Sequence, residues 1–227
     1  MPRPRPERGD VPSPDTLRSE PPAVSAADAR RTRIIDLAAE LFDQHGYAKV
    51  SMEQIAVAAG VAKPTLYHYF RGKDQILRGI HESFIDVLLE QQEERRRLGL
   101  APADLLLGAM TDIFGLMETR RGHVRVFFEH HRELPPAVRE QIRTKRNRYQ
   151  LLVREALAEG IDSGQFRAVD PDTATLAVFG MCNWAYQWWR PNSGAGSAHT
   201  AQKMWDLVLR GLLAGPDSRS PAPAPAQ

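Results

Sequence analysis

Thr65 and His68 are the side chains in this sequence best suited to specific chemistry on a partner molecule. They stand three apart within Lys63-Pro64-Thr65-Leu66-Tyr67-His68-Tyr69-Phe70, so on a helix they share a face. A hydroxyl and an imidazole side by side suit the hydrogen-bonding edges of base pairs in a major groove. Tyr67 and Tyr69 can donate to phosphate oxygens, and Lys63 supplies positive charge beside them. Leu66 and Phe70, four apart, share a different face and should point into a core. The chemistry implied is recognition of duplex DNA, with no bond made or broken.

These side chains need a scaffold, and the flanking residues supply one. Ser51 and Gln54 form a capping box that starts a preceding helix, whose Ile55, Ala56 and Ala59 give it a small apolar face. Gly60 follows where the chain must turn sharply, a position that only glycine occupies cheaply. The next helix begins near Ala62, with Pro64 in its first turn, where a missing N–H costs little. Upstream, Ile34, Ile35, Ala38, Leu41 and Phe42 recur at helical spacing across roughly 26–44, with Gly46 as a stop signal. Arg30, Arg31 and Arg33 crowd the start of that helix, within reach of a DNA backbone. Downstream, Gly72 caps a helix opened by Lys73, whose ammonium and neighbouring N–H groups could clamp one phosphate. The pattern is a helix-turn-helix. Its candidate DNA contacts are Ser51, Lys63, Pro64, Thr65, Tyr67, His68, Tyr69 and Lys73.

Residues 30–80 resemble the DNA-binding domain of the TetR family of one-component transcriptional regulators. The resemblance is carried by Ala58-Ala59-Gly60-Val61-Ala62-Lys63-Pro64-Thr65-Leu66-Tyr67-His68-Tyr69-Phe70-Arg71-Gly72-Lys73. Two positions depart from the family pattern. Ala62 stands where the family often has Ser, which removes a cap and a phosphate contact. Pro64 stands where Gly is common, and its ring would press on a base edge or sugar and alter sequence preference.

Composition narrows the remaining classes. The 227 residues carry a formal charge of +2, which neither demands nor excludes DNA, since only one face must be basic. Cys182 is the only cysteine, which excludes a disulfide framework or a Cys-based zinc site within one chain. No apolar run is long enough to span a bilayer. Residues 1–24 hold seven prolines and cancelling charges, a passive disordered tail and not a secretory signal. Residues 216–227, rich in Pro and Ala, read as a second disordered tail. The expected location is cytoplasmic. Nucleophile elbow, phosphate loop and metal cluster are all missing from the sequence, so an enzyme is not expected, and no cofactor is.

The rest of the chain reads as all-α, with a DNA-binding domain over 25–72 and a helical ligand-binding and dimerisation domain over 73–215. Helices are expected near 73–97, 102–119, 122–132, 136–159, 171–190 and 198–214. Pro102, Pro136 and Pro171 sit near helix starts, Asp170 and Ser197 serve as caps, and breaks fall at 160–169 and 191–196. The helix at 171–190 is apolar on two sides, one running Ala177, Met181, Trp184 and Trp188, the other Phe179, Cys182, Tyr186 and Trp189. Both must be buried, one on its own subunit and one against a ligand or a partner chain. Adjacent His130 and His131 point about 100° apart on a helix, so with Glu129 and Glu133 they make no metal site.

The resemblance adds expectations for this region. TetR-family proteins typically dimerise through their last two long helices, here 171–190 and 198–214. The segments Val124–Pro135 and Asn183–Pro191 look like the subgroup controlling fatty-acid or steroid breakdown, which commonly responds to acyl-CoA esters. Candidate effector contacts are Phe127, Asn183, Trp184, Trp188 and Arg190. The basic run Arg143, Lys145, Arg146, Arg148 and Arg154 either meets the phosphates of such a ligand or forms a solvated helix face. The expectation is a homodimeric repressor on a palindromic operator of double-stranded DNA, released by a small hydrophobic effector such as an acyl-CoA ester. An activator, or a helical protein–protein adaptor without DNA binding, is the alternative.

Overall fold

The computed structural model describes residues 25–190 and 196–213, so both expected tails and all but the last residue of the expected break at 191–196 lie outside the described residues. The chain forms α1 (Ala26–His45), α2 (Met52–Ala59), α3 (Lys63–Tyr69), α4 (Lys73–Arg97), α5 (Pro102–Thr119), α6 (Arg121–Glu129), α7 (Pro136–Asp162), α8 (Pro171–Trp188) and α9 (Ser197–Leu212). Short 3-10 turns at Tyr47–Lys49 and His131–Glu133 join α1 to α2 and α6 to α7. Among the described residues there is no strand, only an isolated bridge between Phe166 and Leu213. The fold is all-α.

Local chemistry explains most boundaries. Asp170 accepts the Thr173 N–H at 2.8 Å and caps α8, while prolines occupy the first turns of α5, α7 and α8. Three expectations are corrected. The helix expected over 122–132 ends at Glu129 and tightens into the 3-10 turn. Gly160 does not break α7, which continues to Asp162; the break is Gly164, at φ 75°. Ser197 does not cap α9, because Gly196 holds that position and the Ser197 hydroxyl bonds Glu118 instead.

The α1–α3 unit closes around Ile34, Ala38, Phe42, Ile55, Leu66 and Phe70, all buried. In the larger unit α5 lies at the centre, packed against α4, α7, α8 and α9, with Leu106, Met110 and Phe114 in its core. Two helices tie the units together. Along α4, Gly79 lets the Ile35 side chain of α1 come close; along α6, a Cβ on Gly122 would sit 3.1 Å from the Ala39 carbonyl oxygen.

Candidate nucleic-acid interface and effector cavity

The recognition helix is built as its side chains require. Ser51 accepts the Gln54 N–H at 3.2 Å, and Gln54 Oε1 accepts the Ser51 N–H at 2.8 Å, so the capping box is reciprocal. Gly60 sits at φ 64°, ψ 34°, the left-handed conformation that ends α2 and sends α3 off at an angle. Leu66 and Phe70 are buried, whereas Lys63, Pro64, Tyr67 and His68 are exposed and Thr65 and Tyr69 half-buried. His68 and Tyr69 pack edge to face at 5.6 Å, which limits their rotamers before any partner arrives.

Two basic candidates are already engaged. Lys63 pairs with Glu53 of α2 at 2.5 Å, and this contact raises the lysine pKa and lowers that of the glutamate. The Lys73 ammonium donates to the Tyr47 carbonyl at 2.8 Å and lies over the Tyr47 ring at 4.5 Å. Lys73 therefore staples the start of α4 to the turn after α1, and a phosphate would have to share or displace those contacts. Ala62 caps α3 without a side-chain bond. Arg30 and Arg33 from α1 and Thr65 from α3 line one groove with Gly60 and Ala62. Such a groove suits a phosphate of the backbone.

A separate cavity of about 180 Å³ opens among α4 to α8, with Phe84, Ile85, Leu88, Ile113, Phe127, Phe128, Tyr149 and Phe179 as its apolar lining. Arg146, Asn147, Gln150 and Asn183 give it polar groups. Of the five expected effector contacts, Phe127 and Asn183 line this cavity and the other three do not. Trp184 and Trp188 are 63% and 46% exposed, so the expected tryptophan wall is absent. The stripe on the opposite side turns inward, where Cys182 is buried and Trp189 donates its indole N–H to Thr200 at 3.1 Å. Arg190 folds back onto the Gln187 and Trp189 carbonyls. The 3.6-residue repeat defines two apolar stripes on α8 and carries no means of ranking them, so spacing alone cannot say which one meets the cavity.

Charges on α7 distinguish one arginine. Arg143 pairs with Glu140, Lys145 with Asp86, Arg148 with Glu93 and Arg154 with Asp172. Arg146 alone of this run has no carboxylate partner among the described residues. Arg146 is exposed, with its guanidinium over the Phe127 ring at 5.7 Å, where partial desolvation lowers its pKa. The α6 helix that lines the cavity also reaches α1. The α6 helix carries Phe127 and Phe128 at one end and His123 at the other, where Nε2 sits 2.9 Å from Asp36 of α1. That contact holds the Asp36 carboxyl below the usual range, and His123 Nδ1 is 3.3 Å from the Ser83 hydroxyl of α4.

Among the described residues no group of His, Cys, Asp and Glu is placed to hold a metal ion, and no helix is long and apolar enough to cross a membrane.

A capped, angled reading helix set on a larger helical body is the arrangement of a helix-turn-helix DNA-binding regulator. Residues 34–80 match the family described as bacterial regulatory proteins, tetR family, and residues 99–212 match the tetracyclin repressor-like C-terminal domain. The chain belongs to the TetR family of transcriptional regulators and is not an enzyme. It is 27% identical over 196 residues to the transcriptional repressor KstR2 of Rhodococcus jostii, covering 85% of this chain and 96% of that one. The crystal structure of PfmR, a TetR-family regulator from Thermus thermophilus, superposes with a TM-score of 0.73 at 31% identity, covering 78% and 97% of the two chains. AibR, solved in complex with isovaleryl coenzyme A and operator DNA, gives a TM-score of 0.69 at 28% identity with the same coverage.

Proposed function

We propose that the protein is a homodimeric repressor that leaves a palindromic operator when a coenzyme A ester with a short acyl group enters the cavity among α4 to α8. The observation that carries the effector class is Arg146. It is the one cation of its run left without a carboxylate among the described residues, at the edge of an aromatic cavity, where an anionic or strongly polar ligand end would satisfy it. The volume of about 180 Å³ is below the ~300 Å³ floor of pockets that enclose whole drug-sized ligands. It suits an acyl end, with the nucleotide outside. The AibR complex with isovaleryl coenzyme A supports the same class by similarity.

Residues 25–72 act as the DNA-binding domain and 73–215 as the effector and dimerisation domain. Thr65 and His68 read bases, while Ser51, Lys63, Pro64, Tyr67, Tyr69 and Lys73 set α3 against sugar and phosphate. Two copies of α3 would enter successive major grooves about 34–36 Å apart. A ligand held between α4 and α6 would shift both helices that lean on α1 and so change that spacing. Only its differential affinity for the two arrangements drives release, about 1–3 kcal/mol in typical allosteric proteins.

The test is fluorescence anisotropy on the DNA upstream of the gene, at two salt concentrations, with and without a panel of acyl-CoA esters. Tight, salt-dependent binding that an ester releases in the wild type, and that Arg146→Ala makes less responsive to the ester, is the expected result. Binding that no ester disturbs removes the effector class, and absence of any operator in a random-sequence selection removes the repressor.

A further inference from the structure

We infer that Glu53 holds Lys63 in reserve, so that this lysine reaches a DNA phosphate only where α3 seats fully in the groove, and operator and random DNA differ by that contact. This rests on the phosphate role given to Lys63 above and adds the residue that controls it.

Arg30, Arg33, Lys63 and Lys73 are the cations that line or flank the reading head. Of these four only Lys63 faces a carboxylate among the described residues, with Glu53 Oε1 at 2.5 Å from its Nζ. Arg30 and Arg33 stand in the groove beside Thr65, and Lys73 is held by backbone carbonyl oxygen. Both side chains of the pair are 57% exposed, so an incoming phosphate can reach it. The pair also spans the motif. Glu53 stands in the first turn of α2, between Ser51 and Gln54 of the capping box, and Lys63 is the first residue of α3. In a helix-turn-helix the first helix crosses the DNA backbone while the N-terminal residues of the second meet the groove. The ion pair therefore lies where docking brings protein and DNA together.

Its chemistry favours the unbound arrangement. A cation at a helix N-terminus opposes the helix dipole, and α3 has no side-chain cap to offset it, so the Glu53 carboxylate is the anion that settles Lys63 there. The ammonium also lies over the Tyr67 ring at 5.9 Å and is thus held from two directions. The contact keeps both partners in their charged forms. A phosphate takes the ammonium only by displacing a carboxylate of its own sign, and Glu53 is repelled by the same backbone. That exchange succeeds where Thr65 and His68 find their bases and hold α3 close. On random DNA nothing holds it close, and the pair stays intact.

The experiment follows affinity against salt, from about 50 to about 200 mM, for the full-length protein on its operator and on a random duplex of equal length. Each phosphate contact adds about 0.9 to the slope of log affinity against log salt. In Glu53→Gln, which keeps the shape of the side chain, the random-duplex slope should steepen by about one unit, so that affinity falls roughly threefold further over that range. The operator slope should not change. In a Lys63→Gln background, adding Glu53→Gln should move neither slope, because Glu53 acts through the lysine. Both side chains are exposed, and thermal unfolding of each variant should match the wild type. An unchanged random-duplex slope in Glu53→Gln would overturn the inference, as would equal steepening on both duplexes. Steepening that persists in the Lys63→Gln background would overturn it too, since Glu53 would then act on DNA directly. If Lys63→Gln alone leaves the operator slope unaltered, the phosphate role of Lys63 falls first and takes the inference with it.

Discussion

His81 shows what burial does to a single group. It lies in α4 against the Phe127 ring, fully buried, with Nδ1 2.9 Å from the Leu77 carbonyl and Nε2 unpartnered among the described residues. The carbonyl assigns the proton of the neutral ring to Nδ1. Burial, with His130 and His131 nearby, pushes its pKa from 6.5 down to about 4. Between those values the unfolded chain binds a proton that the folded chain refuses, so stability declines as pH falls through that window. Urea unfolding should show a loss of about 2 kcal/mol between pH 7 and pH 5, and His81→Leu should remove most of that slope. A pH-independent midpoint in the wild type would refute it. Residues such as these mark where the sequence stops being legible. Leu66 and Phe70 are readable as core and Tyr67 and His68 as surface, because helical spacing decides sides. Whether Arg146 has a carboxylate or the Tyr149 hydroxyl a partner depends on neighbours from α4, α5 and α8, and no local pattern encodes that.

Elements are legible where chain chemistry punctuates them. Asp170 with Pro171, Ser51 with Gln54 and Gly60 each set a boundary by a local bond or a left-handed turn, and the helices begin or end there. Gly160 misleads because its role is tertiary: a Cβ would lie 2.2 Å from the Phe166 ring, so the glycine admits an aromatic and does not stop a helix. Gly122 is the second such case and the more consequential. Its missing Cβ lets α6 approach the α1 backbone, with Ala39 O at 3.1 Å and Glu40 N at 3.2 Å from where a Cβ would stand. The same helix carries Phe127 and Phe128 into the cavity, so α6 runs from the cavity to the α1 backbone, and under the proposed function it would couple the two. Gly122→Ala should cost about 1–3 kcal/mol by overpacking against backbone that cannot move aside. It should also reduce the ratio of operator affinities measured without and with the releasing ester. Retention of both stability and that ratio would show that the close contact is incidental.

At the scale of the whole molecule, the unclaimed surface is apolar and lies at the far end from α3 in sequence. On α8, Trp184 and Trp188 are exposed, and on α9 so is Leu207, with both helices backed by α5. Scattered exposed leucines need no explanation, but two exposed tryptophans one turn apart on one stripe do. The sequence requires a second burial for this stripe without saying by what. With the cavity lined by the other side of α8, the covering that the proposed repressor would use is a second copy of the chain, as a two-fold operator would also require. Large aromatics near the middle of an interface carry most of its free energy. Introducing a charge there leaves the monomer core intact, since neither tryptophan is buried within it. Trp184→Glu combined with Trp188→Glu should therefore convert a dimer to a folded monomer in sedimentation at micromolar concentration, with thermal unfolding still cooperative. Operator affinity should fall by far more than any single base contact is worth, because one half-site contributes roughly half the binding free energy. A variant that remains dimeric would move the interface off α8, and one that is monomeric yet binds the full operator normally would remove the dimer from the mechanism.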